Sequence, residues 1–564
     1  MYEEEYPELP IIQKHKYYRE AITYFYYLFS RSQNIHILRG QFDDFMQVLK
    51  TDVEKDTNQY EKYVLQIYKL ALHIRDPFQG KGEHDISYMM LDVFYLYFPD
   101  KALYCLYQWL YPSFREQPFG CWRDIKYLCE YTKNDDLIEI CIEAINGELA
   151  KDMDIYSELN GKNVPTKDVR KQISNAAKWA PRENKRFDWL FEKLAIHWSK
   201  KTMPYLFNQS NSENSYQSAI RKAKMNYRKI ISQLNKILDT TEIKLCSQKW
   251  NKLDIENIPQ LAFVKYKPAL CKYIFDTPDK ILEHSFYSED NMNRLECSLK
   301  TKKHLNNKYY PEGEFEPDRP HSIYVPFSIP LSNLVKEAFS LLQNKNHIQI
   351  DILNNQWSRL SSTIGRDNLE NMIPIIDMSF LSKQTDSYYT AIGFACLVAE
   401  RSTFGRRILV IENNLTSVNL QNETSLFGMI CRLNEDTKNQ LHSASDPIHA
   451  LEELVKLTNK AQLNRKEMND LTLIYYQTIP WNNKENLHNT IENIFTPKKC
   501  PKIIYWNLCE TNKEMILPGP PVDKEKCILL SGHNANLISN LHIKKSSNYD
   551  IITEIVDKIK IFEF

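Results

Sequence analysis

An aspartate and a serine that could bind a metal follow a short apolar run in the last third of the chain. Asp377 comes directly after this run, and Ser379 follows two residues later. A carboxylate and a hydroxyl are hard oxygen donors of the kind that Mg²⁺ prefers. Leu381, two residues further on, has no oxygen to offer. The pattern therefore predicts an oxygen site at a strand end, and weak Mg²⁺ binding is the most that we expect.

A second candidate site is a basic segment in the first half of the chain. Residues 162–236 contain seventeen lysines and arginines against five acidic residues, although the whole chain balances 72 basic with 72 acidic residues. Such a local excess can neutralise phosphates, and binding of this kind weakens steeply with salt. The RNA-binding candidates are Lys178, Arg182, Lys185, Arg186, Arg221, Lys222, Lys224, Arg228 and Lys229.

No pattern of catalytic residues accompanies these two segments. The sequence contains no H-E-x-x-H motif, no phosphate-binding glycine loop and no recognisable pair of nucleophile and base. Isolated histidines such as His73, His84 and His533 are more often structural than catalytic. We therefore expect a non-enzymatic protein with no small-molecule substrate and no cofactor beyond weakly bound Mg²⁺.

Cysteine use and the start of the chain indicate the compartment. The twelve cysteines stand singly, without a C-x-x-C pair, as is typical of reduced thiols rather than a disulfide framework or a zinc site. The opening Met1-Tyr2-Glu3 lacks the basic and apolar parts of a signal peptide, and no long uninterrupted apolar run follows. The expectation is an intracellular, cytoplasmic protein that has no membrane partner.

Helical periodicity dominates the chain between about residues 10 and 300. The apolar stripes that show it are Tyr60, Tyr63, Val64, Ile67, Ala71 and Ile74; Leu103, Leu106, Tyr107 and Leu110; and Phe187, Leu190, Phe191, Leu194 and Trp198. Because each amphipathic helix needs a partner, we predict stacked helix pairs of the helical-repeat kind, with these aromatic residues in the core. The polar loop around Gly80 and Gly82 is predicted to be a turn between helices, with a binding loop as the alternative.

The pattern changes after a proline-rich crossing at residues 311–330, which we predict to be ordered. Short apolar runs then alternate with helices. The predicted strands are residues 372–377, 407–411, 471–476, 503–507 and 527–530, and the predicted helices are residues 389–401, 447–457 and 551–559. Continuous apolar strands between helices indicate a mainly parallel sheet. The predicted fold class is multidomain α and α/β, with an all-helical domain over residues 1–345 and an α/β domain over residues 346–564.

Several segments resemble motifs of an uncharacterised two-domain family of plants, fungi and giant viruses. They are Arg75-Asp76 with Gly80-Lys81-Gly82-Glu83, Lys178-Trp179-Ala180-Pro181-Arg182, Tyr227-Arg228-Lys229, Pro320-His321, Tyr505-Trp506-Asn507-Leu508 and Leu530-Ser531-Gly532. That family is similar in architecture to the Ro ribonucleoprotein, in which a ring of helical repeats, the TROVE domain, is closed by a von Willebrand A (vWA) domain. The resemblance implies a Rossmann-like vWA fold for the second domain and no enzymatic activity. The abundance of residue types with AT-rich codons favours a giant-virus, mimivirus-like member.

The same resemblance implies a role for the aspartate and serine described above. Asp377-x-Ser379-x-Leu381 is similar to the Asp-x-Ser-x-Ser metal-ion-dependent adhesion motif (MIDAS) of vWA domains, with Leu381 in place of the second serine. Ser445 stands where the family supplies a threonine, and Gln477 stands where it supplies an aspartate. The resemblance therefore implies a degenerate metal site at Asp377, Ser379 and Ser445.

Two functions are open on this evidence. The first is a binding scaffold that resembles the Ro ribonucleoprotein and holds RNA on its basic helical region. The alternative is a protein-interaction or virion-packaged structural protein with a vestigial metal site. The arrangement of the cations distinguishes the two. Cations that line one surface favour RNA, whereas ion pairs with Glu183, Asp188 and Glu192 count against it.

Overall fold

A computed structural model gives the fold of the chain. It describes residues 11–31, 35–112, 117–162, 166–208, 212–255, 260–272, 289–306, 330–344, 346–364, 371–377, 385–403, 406–411, 415–437, 470–478, 501–509, 527–543 and 547–560, with a few single residues between them. These residues form two compact units. Unit 1 combines Met1–Ser87 with Leu305–Phe564, and unit 2 is Tyr88–His304.

Helices dominate the chain before residue 370, as the periodicity predicts. They are α1 (Ile11–Leu28), α2 (Ile35–Lys55), α3 (Thr57–Arg75), α4 (Asp85–Tyr97), α5 (Pro99–Leu110), α6 (Trp122–Tyr131), α7 (Asp135–Gly161), α8 (Thr166–Gln172), α9 (Ala176–Trp179), α10 (Asp188–Thr202), α11 (Tyr205–Asn208), α12 (Glu213–Leu238), α13 (Thr241–Cys246), α14 (Gln260–Leu270), α15 (Glu289–Asn306), α16 (Leu331–Asn344) and α17 (His347–Thr363). Polar side chains cap several of them: the Asn134 side chain accepts from the backbone at the start of α7, and Ser212 does so for α12. No strand occurs among the described residues before Met372, which confirms the predicted all-helical region.

The remainder of unit 1 is built on a six-stranded sheet. Its strands are β1 (Met372–Asp377), β2 (Arg407–Ile411), β3 (Leu415–Asn419), β4 (Thr472–Gln477), β5 (Lys502–Asn507) and β6 (Cys527–Ser531). Their order is β3-β2-β1-β4-β5-β6, the order of a doubly wound α/β sheet. All neighbouring pairs are parallel except β2 and β3, which pair antiparallel at the edge. The later helices are α18 (Asp386–Ala399), α19 (Leu426–Thr437) and α20 (Asn548–Asp557).

The predicted strands are confirmed to within one residue at each end, because each is a continuous apolar run buried in the sheet. Two elements between β2 and β4 have no counterpart in the prediction. One is β3, with the sequence Leu-Thr-Ser-Val-Asn, in which the buried Val418 stands between the exposed Ser417 and Asn419, as is typical of an antiparallel edge strand. The other is α19, which packs on β3. The predicted helix at 447–457 and the proline-rich crossing at 311–330 lie outside the described residues.

Unit 1 includes the first three helices of the chain, so the compact units do not follow the predicted boundary at residues 345 and 346. Helix α1 packs against β6 and α20, and α3 also packs against α20. Helices α16 and α18 approach so closely that a Cβ at Gly393 would lie 2.9 Å from Leu331 Cβ. The N-terminal helices therefore bury their apolar faces within the α/β unit.

Unit 2 is helical in every part that the structure describes. The predicted stripe from Phe187 to Trp198 is buried, but Tyr107 of the stripe on α5 is 50% exposed. The predicted core position of Tyr107 is therefore wrong. Two further findings concern the whole described chain: its cysteines are free thiols, and none of its helices is long and apolar enough to span a membrane.

Candidate anion-binding pocket

The strongest candidate site is a pocket of about 230 Å³ within unit 2. It is lined by Lys126, Lys178, Trp179, Ala180, Pro181, Arg182, Lys185, Phe187, Thr240 and Glu242. Four of these ten residues are cationic, two are large aromatics and one is acidic. Cations beside aromatic rings are the combination that recognises phosphates and bases in unpaired nucleic acid.

Most of the lining residues belong to one short segment, residues 176–187, which consists of α9 and the loop that leads to α10. Hydrogen bonds at its start and just before it hold the segment against neighbouring helices. The Asp152 carboxylate of α7 accepts from the Ser174 backbone N–H at 2.8 Å and from the Ser174 hydroxyl at 2.7 Å. The Asn235 amide of α12 donates to the Ala177 carbonyl at 2.9 Å. Because these acceptors and donors are paired, the pocket wall stands on a rigid support.

The second part of the segment is held by its own turn chemistry. Asn184 has φ = 58°, a left-handed conformation that asparagine tolerates, and its backbone N–H donates to the Asp188 carboxylate at 3.0 Å. The neighbouring Glu183 forms an ion pair with Arg228 of α12 at 3.0 Å. Within the described residues, Glu183 forms no ion pair with Arg182 or Lys185.

The cations of the pocket have no acidic partner among the residues that the structure describes. The side chains of Lys178, Arg182 and Lys185 make neither an ion pair nor a hydrogen bond with any residue that the structure describes. Glu242, the one acid among the lining residues, likewise forms no ion pair within the described part of the chain. Unpaired cations around a concave surface create a positive field that is available to an anion.

Aromatic rings surround the amine of Lys126. Its Nζ lies 5.2 Å from the ring centre of Trp179 and 5.5 Å from that of Phe187, and it donates a long 3.4 Å hydrogen bond to the Trp179 carbonyl. Arg123, one turn before it on α6, lies 6.0 Å from the Trp179 ring. The buried Nε of Arg123 has no hydrogen-bond partner among the described residues. This corner of the pocket therefore has more N–H donors than acceptors.

The protonation of Lys126 reflects this environment. Burial above all, together with the nearby positive charges of Arg123 and Arg182, lowers the pKa of Lys126 to about 8, against a small opposite effect of Cys121. An anion that enters the pocket stabilises the protonated form of such a lysine.

The nine RNA-binding candidates fall into three groups. Lys178, Arg182 and Lys185 lie together in the pocket. The structure pairs the next three with acids: Arg186 with Glu130 at 2.7 Å, Lys224 with Glu192 at 2.5 Å, and Arg228 with Glu183 at 3.0 Å. The last three, Arg221, Lys222 and Lys229, are exposed on α12 and do not line the pocket. The structure thus brings three candidates together and pairs three with acids, two of which, Glu183 and Glu192, are those named by the sequence analysis.

The sequence reading missed the contribution of α6. Arg123 and Lys126 stand three residues apart, which places them on one face of that helix, and Tyr127 beside them stacks edge-on against Phe187 at 5.1 Å. The basic and aromatic residues on one face of α6 could have indicated this contribution from the sequence. Because α6 lies outside residues 162–236, the charge excess of that segment did not include them.

Of the residues of the predicted metal site, only Asp377 lies within an element that the structure describes. Asp377 is the last residue of β1, but its side chain, Ser379, Leu381 and Ser445 lie outside the described residues. Gln477, at the end of β4, is buried, and its Oε1 accepts a hydrogen bond from the Tyr27 hydroxyl at 2.8 Å. The position where the resemblance expects a metal-binding aspartate is therefore occupied by an amide that bonds to the protein itself.

The last turn of α1 covers the rest of this edge. Asn507, at the end of β5, donates to the Tyr27 carbonyl at 2.9 Å, and Ser531, at the end of β6, donates to the Tyr26 carbonyl at 2.8 Å. The ammonium of Lys81 donates to the Tyr26 carbonyl, to the Phe29 carbonyl at 2.8 Å and to Ser531 Oγ at 2.7 Å. A helix end leaves carbonyls without partners, and here the strand ends and a buried lysine provide them.

His533 and Glu83 extend this buried cluster. The Nδ1 of His533 lies 3.6 Å from the Glu83 carboxylate and 3.3 Å from Ser30 Oγ, and its Nε2 lies 3.4 Å from Ser387 Oγ. Burial by itself would raise the pKa of Glu83, but the hydrogen bond and charge of His533, with smaller contributions from two other cations, hold that pKa below its usual value. Three of the motif segments, at residues 80–83, 505–508 and 530–532, therefore meet at one edge of the sheet. The loop at Gly80 and Gly82 is a turn between helices, as predicted.

Comparison with known proteins gives two matches. The model of a family described as a domain of unknown function (DUF2828) matches residues 143–277, a range that includes residues 176–187 and Glu242 but not Lys126. A protein of Acanthamoeba polyphaga mimivirus, described as uncharacterized protein L728, is 23% identical over 499 residues, which are 83% of this chain and 75% of the viral protein. The chain is thus similar to a giant-virus protein over most of its length, and neither description names a ligand.

Proposed function

We propose that this protein is a non-enzymatic scaffold that binds single-stranded RNA through the pocket of unit 2. The observation that carries the proposal is the convergence of Lys126, Lys178, Arg182 and Lys185, none of which has an acidic partner among the described residues, around Trp179. Lysine and arginine supply affinity for phosphates, and a tryptophan ring stacks on an unpaired base for about 1–3 kcal/mol. In this proposal the pocket binds RNA as a partner and does not act on it as a substrate.

The resemblance to the Ro ribonucleoprotein supports the same proposal. A helical unit followed by a six-stranded, mainly parallel sheet agrees with the TROVE and vWA architecture that the resemblance implies. We extend the proposal to the metal site: a site at Asp377, Ser379 and Ser445 binds Mg²⁺ weakly at most, since Gln477 replaces a carboxylate there. The sheet then acts as a structural unit and not as a metal-dependent adhesion surface.

The experiment is a fluorescence anisotropy titration of the full chain with a labelled, unstructured RNA. The test variant carries Lys178→Glu, Arg182→Glu and Lys185→Glu. The matched control carries Arg221→Glu, Lys222→Glu and Lys229→Glu, which make the same change of charge at exposed positions of the same unit outside the pocket.

We expect the pocket variant to lose on the order of 100-fold in affinity and the control to lose less than about fivefold. Loss of three phosphate contacts on a single strand should also reduce the slope of log affinity against log salt by about 2. Equal losses in the two variants would mean that a diffuse charge and not the pocket binds RNA. If neither the wild type nor the control binds RNA, while specific proteins accompany the chain purified from its natural source, the protein-interaction alternative replaces this proposal.

A further inference from the structure

We propose that the pocket of unit 2 binds the terminal phosphate of an RNA chain, a phosphomonoester, in preference to the internal phosphodiesters. This inference rests on the proposed RNA-binding function and narrows it to one chemical group. The charge of the pocket, its number of hydrogen-bond donors and its size support it.

The charge of the pocket exceeds what one phosphodiester neutralises. Lys126, Lys178, Arg182 and Lys185 face a single acid, Glu242, so that the lining carries a net charge of three when all four cations are protonated. An internal phosphodiester carries one negative charge, whereas a phosphomonoester carries about 1.5 to 2 near pH 7. A terminal phosphate therefore compensates more of the field in this small volume than an internal one does.

The hydrogen-bond donors of the pocket likewise outnumber the acceptor oxygens of one phosphodiester. Lysine offers three N–H donors and arginine offers five, and the side chains of Lys178, Arg182 and Lys185 use none of theirs within the described structure. Lys126 makes one hydrogen bond of 3.4 Å, and the buried Arg123 Nε behind it has no described partner. A phosphodiester presents two non-bridging oxygens, whereas a phosphomonoester presents three strong acceptors. The terminal group therefore satisfies more of these donors.

The size of the pocket and its walls also fit the end of a chain. A volume of about 230 Å³ lies below the roughly 300–1,000 Å³ of pockets that enclose drug-sized ligands, so there is room for one phosphate group and part of its nucleotide. Ala180, Phe187 and Thr240 among the lining residues are buried and form part of the pocket wall. Trp179, half-buried at the pocket, presents a ring on which the terminal base can stack.

The test uses three ten-nucleotide RNAs of one unstructured sequence: one with a 5′-phosphate, one with a 3′-phosphate, and one with hydroxyl groups at both ends. Each is titrated against the full chain at constant salt and pH 7. We expect one phosphorylated RNA to bind on the order of tenfold more tightly than the hydroxyl RNA, the gain from one additional charge-assisted hydrogen bond, and the two phosphorylated arms identify which end is bound. A free nucleoside monophosphate should compete with that RNA.

Two single substitutions separate the pocket from general charge. Arg182→Gln and Lys126→Gln should abolish the preference for the phosphorylated end, while Arg221→Gln, on the exposed face of α12, should keep it. Arg182 is exposed, so its substitution leaves the fold intact even if the half-buried position 126 does not tolerate glutamine. Equal binding of all three RNAs, with loss of binding in the triple glutamate variant of the pocket, would overturn this inference and leave the proposed function standing. Absence of binding to all three would overturn both.

Discussion

Replacement of Lys81 by methionine is expected to destabilise unit 1 by about 1–3 kcal/mol. The Lys81 side chain is buried at the carboxyl edge of the sheet, and its ammonium donates to two carbonyls at the end of α1 and to Ser531 Oγ. Methionine has nearly the same length and is apolar, so the substitution removes the polar head group and leaves little new cavity. The change in the free energy of unfolding therefore reports on the hydrogen bonds.

Two effects of opposite sign determine the magnitude. The Phe29 carbonyl would lose its one partner among the described residues, whereas the Tyr26 carbonyl would keep the Ser531 hydroxyl. A buried acceptor left without a partner costs about 1–3 kcal/mol. Against this, burial lowers the pKa of Lys81, opposed by the charge of Glu83, which means that the buried cation carries a desolvation penalty. Apolar replacement of a buried charge offsets that penalty only when its partners are replaced as well, and the carbonyls of α1 remain.

Urea unfolding of the full chain, followed by far-ultraviolet circular dichroism, measures the effect. The matched control is Lys50→Met: Lys50 lies on the surface and pairs with Glu54 one turn away at 3.4 Å, an interaction worth about 0.5 kcal/mol or less. We expect the Lys81 variant to unfold at a clearly lower urea concentration than the control. A Lys81 variant that is as stable as the control, or more stable, would show that desolvation outweighs the three hydrogen bonds and would refute the reasoning.

Three further predictions concern the pocket, the strand ends and the N-terminal helices. Affinity for an anionic ligand should fall as the pH rises through about 8, where the protonated form of Lys126 is lost, and Lys126→Gln should give a flat profile between pH 7 and 9, as measured by anisotropy titration. Gly532→Ala should destabilise unit 1 by about 1–3 kcal/mol in urea unfolding, because Gly532 has φ = 118° and a Cβ there would lie 2.6 Å from Leu537 Cδ1; an unchanged midpoint would contradict this. A fragment of residues 330–564 lacks residues 1–87, so Gln477 and Asn507 should lose their partners on α1. Sharp, dispersed nuclear magnetic resonance signals from this fragment would contradict the described packing.

The sequence predicted most elements of the fold because they depend on local patterns. β1 ends one residue after its apolar run, at Asp377, and β2 begins one residue before its own, at the exposed Arg407, since a strand buried on both faces needs apolar residues along its central part. β3 escaped prediction because half of its residues are polar and it lies at the sheet edge, where alternation is short and weak. The periodicity predicted the burial of the helical stripes equally well, except at Tyr107.

The candidate site could be predicted only in part. The charge excess over residues 162–236 and the motif around Trp179 are properties of the sequence, and three of the cations they indicate, Lys178, Arg182 and Lys185, lie around one pocket. Sequence could not separate these three from Arg186 and Lys224, because whether a cation is neutralised depends on an acid that another helix brings within 4 Å.

Tertiary structure alone decided which distant segments meet. Lys126 reaches the pocket from α6, more than fifty residues before Lys178, and the end of α1 reaches β6 across some 500 residues. Hydrophobic periodicity determines which face of an element is buried, but it carries no information on which other element covers that face. The sequence thus determined two kinds of unit and a local basic character. The packing of helices decided which cations remain unpaired among the described residues, and that distinction marks the candidate site within the basic segment.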